Sequence, residues 1–187
     1  EGEENSCSPI AAEFFYFFSD LNETDQSKLL KSFKEKGLNF SSQDIYGNNF
    51  FHSISYDSKN LKCIEIKELI KENPLFLMQK NNESKTPLHI AIEYENNRFL
   101  QASLEGIADN KIISDLCLLH EACMAHYHQS KSFNIEAINI VLSKFNNQKD
   151  FISHKNKEDH YPIDYLFIAK EKLSKKSLGL HKEINEK

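Results

Sequence analysis

Tryptophan is absent from these 187 residues, methionine occurs twice, and arginine once, as Arg98. Basic residues are outnumbered, 23 Lys and Arg against 28 Asp and Glu, giving a net charge of -5. A phosphate-neutralising surface rests on clustered Lys and Arg, so nucleic acid is not an expected partner. The four cysteines, Cys7, Cys63, Cys117 and Cys123, include no CxxC unit and are too sparse for a secreted disulfide scaffold, which points to a reducing, cytoplasmic setting. No apolar run approaches the roughly 20 residues of a membrane span. The longest, Phe14-Phe15-Tyr16-Phe17-Phe18, follows Glu13 and an acidic start rather than the basic region of a secretory leader, so membrane insertion is not expected. A Gly-rich phosphate loop and a Gly-x-Ser-x-Gly elbow are also missing.

What is present suffices for a core. Apolar residues make up 40% of the chain, with 14 Phe and 7 Tyr, enough to offset chain entropy over about one domain. The abundance of Lys, Asn, Ile and Phe looks like the codon usage of an AT-rich genome. A start without Met and an end within the helix-like Lys182 to Lys187 give the expectation of a piece of a longer protein.

A motif recurs along the chain. Its clearest copy is Thr86-Pro87-Leu88-His89-Ile90-Ala91-Ile92, where Thr can cap a helix, Pro occupies the first helical position, and Leu, Ala and Ile face inward. A second copy runs from Asp44 through Gly47, Asn49, Phe50, Phe51 and His52 to Ile54, with Asn49 as the cap. Upstream of it, Gly37 is read as ending a helix in a left-handed conformation. A third, Leu118-Leu119-His120-Glu121-Ala122-Cys123, has lost its turn glycine, and a fourth, Tyr161-Pro162-Ile163-Asp164, carries Asp in place of His. His52, His89, His120 and Asp164 are spaced by 37, 31 and 44 residues. After each of the first three copies a second apolar helix pattern follows: Ile66 with Leu69 and Ile70, Phe99 and Leu100 with Leu104, and Ile138 with Val141 and Leu142.

These motifs resemble the ankyrin repeat, whose period is roughly 33 residues. The resemblance spans about Leu29 to Leu173 and implies an all-α solenoid of helix pairs, about four repeats with an N-terminal helical cap. The expected organisation is a cap over 1–36, divergent repeats over 37–173, and a polar C-terminal cap or tail over 174–187. Within this N-terminal segment a helix begins near Thr24-Asp25, with Thr24 or Asp25 as its N-cap. The resemblance assigns His52 and His89 to tying neighbouring repeats together through backbone hydrogen bonds, and nothing in these motifs marks an enzyme.

Cys117, His120, Cys123, His126 and His128 form the one cluster with zinc-like ligands, but their spacing does not place two ligands one helical turn apart in the required way. They are read as core and motif residues; no metal or other cofactor is expected. The lysines of the C-terminal stretch, Lys170, Lys172, Lys175, Lys176 and Lys182, alternate with glutamates and are read as a solvated helix face.

In the family, inter-repeat turns project as fingers beside the first helices and bind partners. Carried across, that surface comprises Ile45, Tyr46 and Asn48 with Glu83 and Lys85 on the fingers, and Tyr56, Glu93, Tyr94 and Met124 on the helices. The third finger, Ile113 to Leu116, is unusually apolar, and Lys157, Glu158 and His160 are the finger positions of the fourth. Tyrosine is enriched in binding hot spots. Tyr46 beside Gly47 is read as exposed; for Tyr56, exposure and burial between repeats both remain open. The expected function is protein–protein interaction, the alternative being a substrate-positioning domain of an enzyme whose catalytic domain lies elsewhere. Composition, the absent secretory signal and the repeats together resemble host-directed effectors of intracellular bacteria, implying a host protein as partner and the host cytoplasm as the site of action.

Overall fold

The computed structural model describes residues 18, 21–37, 39–56, 63–107, 113, 116–129, 134–144 and 152–165. Of the apolar run Phe14 to Phe18 only Phe18 is among them, and the 174–187 tail lies outside them. The described residues are helical, with no strand among them. The chain divides into two compact units, Glu1–Leu116 and Cys117–Lys187.

The first unit holds α1 (Glu23–Glu35), α2 (Phe50–Ser55), α3 (Cys63–Glu72), a 3-10 turn (Pro74–Leu77), α4 (Pro87–Glu93) and α5 (Asn97–Gly106); the second holds α6 (Leu118–Gln129) and α7 (Ile135–Ser143). Asparagine starts four of these helices. The side-chain oxygens of Asn22, Asn49, Asn96 and Asn134 accept from the backbone N–H three residues on, at 3.0–3.1 Å, filling a donor that each helix start leaves open. The cap of α1 is therefore Asn22 and not Thr24 or Asp25. Asp25 instead takes the third helical position, where its carboxylate accepts from the Asn22 side-chain amide at 2.7 Å. At the other end of α1, Gly37 adopts φ +69°, the left-handed stop read from the sequence.

In the first unit helices pack first against first and second against second. There α2 lies on α4 and α3 on α5, while α6 packs on α7 in the second unit. Phe50, Phe51, Ile54, Ile70, Leu88, Ile92, Phe99 and Leu100 are fully buried. Phe50 gathers Phe18, Phe40 and Phe51 edge-on at 5.2–5.5 Å, a geometry the ring quadrupoles favour. The α3–α5 approach is close enough that a Cβ on Gly106 would sit 2.9 Å from Ile70 Cγ2.

Histidines join the successive motifs. The Asn49 N–H donates to His52 Nδ1 at 3.0 Å, and the far nitrogen, Nε2, meets the Lys85 carbonyl at 3.1 Å. His89 repeats this with the Thr86 hydroxyl at 2.6 Å on Nδ1 and the backbone of Leu116 beyond. In the second unit His120 Nε2 meets the His160 carbonyl at 3.0 Å. Each backbone acceptor belongs to the residue just before the next motif's capping position. At His52 and His89, a donor at Nδ1 and a backbone acceptor on the far side of the ring fit the neutral Nε2–H tautomer. Desolvation agrees: it lowers His52 and His89 to about 4, and it lowers His120 as well.

The sign of the resulting pH dependence follows. Unfolded histidine titrates near 6.5, so between pH 6.5 and 4 the unfolded chain binds more protons than the folded one. The stability present above pH 6.5 is lost as pH falls through that window, by roughly 3 kcal/mol for each of the two histidines. Urea unfolding at pH 7.5, 6.0 and 5.0 should show this fall. His52→Gln, which can still donate to the Lys85 carbonyl, should be less stable at pH 7.5 and lose less on acidification. A wild-type midpoint unchanged across the window would refute the neutral assignment.

Candidate functional site

The surface begins with turns built to one plan. In the first, the Asp44 N–H donates to the Asn48 carbonyl (2.8 Å), the Gly47 N–H donates back to the Asp44 carbonyl (2.9 Å), and Asp44 Oδ1 accepts from the N–H groups of Tyr46 and Asn48 at 2.9 and 2.8 Å. Asn81 does the same for Glu83, Ser84 and Lys85, and Asn156 for Glu158, Asp159 and His160, with corresponding distances of 2.9–3.1 Å. The residue closing each turn is left-handed: Gly47 at φ +76°, Ser84 at +62°, Asp159 at +64°. Sequence reasoning singled out Asp44 but missed Asn81 and Asn156. The signal was there: all three sit five residues before a capping position, and Asn and Asp offer the same acceptor oxygen.

Adjacent turns of the first unit are bonded edge to edge. The Asn82 N–H donates to the Tyr46 carbonyl (2.9 Å) and its side-chain amide to the Ile45 carbonyl (3.1 Å), while the Asn81 amide donates to Asn48 Oδ1 (3.0 Å) and the Gln43 amide to the Lys80 carbonyl (3.0 Å). Asn48 is thus part of the seam and only half exposed. Ile45 and Tyr46 stand on the ledge it supports, 75% and 63% exposed.

Beside the turns lies a second cluster. Tyr56 and Tyr94 occupy the C-caps of α2 and α4, and their rings meet edge to face, centroids 4.8 Å apart at 74°. They stay 39% and 51% exposed, so Tyr56 is neither free nor buried but half-covered by Tyr94. Lys85 Nζ bridges Glu93 at 2.7 Å and Glu83 at 3.2 Å. Burial alone would lower the Lys85 pKa; hydrogen bonds to Glu93 and Glu83 outweigh it and raise it. The Tyr56 phenol is raised by desolvation and by the nearby Tyr94, Glu83 and Glu93. Five residues picked out separately in the sequence, Tyr56, Glu83, Lys85, Glu93 and Tyr94, therefore share one patch.

Met124 falls on α6, in the other unit, and its side chain lies outside the described residues, as do those of His126 and His128. In the third motif, Ile113 and Leu116 are buried, so these apolar finger residues serve the core. Cys123 is buried, and desolvation pushes its thiol up to about 11. Among the described residues no three His, Cys, Asp or Glu side chains gather as a metal site, and no helix is long and apolar enough to cross a membrane. No family model matches the chain, and no curated protein matches it.

Gly47 holds the ledge together. A Cβ there would lie 2.7 Å from Asn82 Oδ1 and 2.9 Å from the Asn82 backbone N, in a left-handed conformation besides. At Gly37, φ is similar but nothing lies within 4 Å. Gly37→Ala should cost about 1 kcal/mol from backbone conformation alone. Gly47→Ala should cost at least about 2–3 kcal/mol, because Asn82 must also move. Equal losses in urea unfolding would mean that the seam adds no constraint.

Proposed function

We propose that the chain is an ankyrin-type solenoid module that binds a protein partner on its turn ledge and the C-terminal ends of its first helices. Repetition supports the solenoid reading: three turns share one hydrogen-bond plan, helix pairs of the first unit pack first on first and second on second, and imidazoles reach the backbone before the next motif. The observation that carries the binding reading is the exposed Tyr56–Tyr94 pair beside the Glu83–Lys85–Glu93 bridge. Large aromatic rings held in a fixed geometry offer contact area at low entropic cost, as interface anchors do. Ile45 and Tyr46 extend that surface along the turns. The proposed setting is a host-directed effector, with a host protein as partner in the host cytoplasm; the AT-rich composition supports this reading.

A photo-crosslinking residue placed at Tyr94 should capture a defined partner from host-cell lysate, whereas the same residue at Glu72 on α3 should not. Tyr94→Ala combined with Tyr46→Ala should weaken capture roughly ten-fold or more, as loss of interface anchors does. Stability should fall by no more than about 1.5 kcal/mol for the lost ring pair. Adducts at both positions alike, or none at Tyr94, would contradict the assignment of this surface.

A further inference from the structure

We propose that the partner docks through a basic segment whose arginine or lysine side chain rests on the Tyr56–Tyr94 pair and against the Glu83 carboxylate. This deepens the protein-binding reading above and depends on it.

Lys85 is one cation between two carboxylates, so the bridge retains a net charge of -1. Its ammonium is already committed to both partners, at 2.7 and 3.2 Å, and is not available to receive an acidic segment. The Glu83 side chain, by contrast, is 68% exposed and keeps acceptor capacity toward solvent, since a carboxylate offers about four lone-pair directions. Two half-exposed tyrosine rings adjoin this excess of negative charge, and ring faces are themselves electronegative.

Each alternative occupant meets an opposing cost. An acidic segment would face Glu83 and Glu93, and the cation between them, Lys85, is already paired to both. A purely apolar segment would cover the charged bridge and remove water from Glu83 with nothing in return. A cation meets both features at once, its charge on the carboxylate and its flat or alkyl surface on the rings. Arginine suits the site best because a planar guanidinium stacks on an aromatic face while its N–H fork pairs with a carboxylate.

The test selects phage-displayed random 12-residue peptides on the full chain, with fluorescence anisotropy on the synthesised winners. The winners should be enriched in Arg and Lys, and exchanging Arg for the neutral isostere citrulline should weaken binding at least ten-fold. Glu83→Gln should weaken it several-fold, and added salt should weaken it as well. Lys85→Met, which keeps the alkyl stem but removes the internal cation, should strengthen it a few-fold, a direction that simple loss of structure would not produce. Overturning results are winners without basic residues, winners indifferent to citrulline exchange, or no enrichment over a blank support. Non-basic winners that still fail on Tyr94→Ala would overturn only the cationic specificity. Winners that bind Tyr94→Ala unchanged would also remove the binding surface proposed above.

Discussion

The neutral imidazole is the joint on which this architecture depends. At Nδ1 it closes the start of its own helix, and at Nε2 it satisfies a backbone acceptor just before the next motif. One side chain thereby sets both a helix start and the placement of the neighbouring turn, something no aliphatic residue can do. The arrangement requires that the ring lose its second proton, and burial provides this, with desolvation depressing His52 and His89 to about 4. Protonation would turn the Nδ1 acceptor into a donor facing another donor, so the joint is strong only while the ring is neutral.

The fourth motif shows which half of that role matters locally. Asp164, standing where the other motifs have His, still accepts the backbone N–H of the capping-position residue Tyr161 at 2.8 Å. A carboxylate reaches back as well as an imidazole does, but when ionised it has no proton to pass onward. The third motif fails in the complementary way. His120 still reaches the His160 carbonyl, yet Cys117 stands where a hydroxyl or amide would complete the helix start, and His120 Nδ1 is buried without a partner among the described residues.

Much of this was legible in the sequence where a residue's local chemistry decides its geometry. Thr86-Pro87 and Asn49 mark helix starts because their side chains and ring conformation act within one turn, and Gly37 and Gly47 mark left-handed positions because few other residues adopt them at low cost. What escaped notice are asparagines with roles at a distance. Asn96 caps α5 through its oxygen while its amide donates to the Ile54 and Ser55 carbonyls at the end of α2, forty residues upstream; no spacing rule reveals that pairing. Asn81 was hidden differently, because its place in the turn is held by aspartate, Asp44, in the preceding copy. The joining of Tyr56 to Tyr94, and of Lys85 to Glu93, was beyond reach because packing brings each pair together, whereas Glu83 and Lys85 are neighbours on one turn.

At the end of α2 the carbonyls of Ile54 and Ser55 are taken by Asn96, and at the end of α4 the Tyr94 and Asn96 N–H groups return to the Ile90 and Ala91 carbonyls. Neither tyrosine side chain is needed for any of these bonds. Both nevertheless occupy positions where a small polar residue would satisfy the backbone equally well and expose less apolar area. Their mutual edge-to-face contact, worth about 0.5–1.5 kcal/mol, offsets part of the cost of leaving them in water and holds them in one geometry. Two large rings that this backbone bonding does not require, fixed beside a bridge with an unmatched carboxylate, are the features on which the proposed partner surface rests.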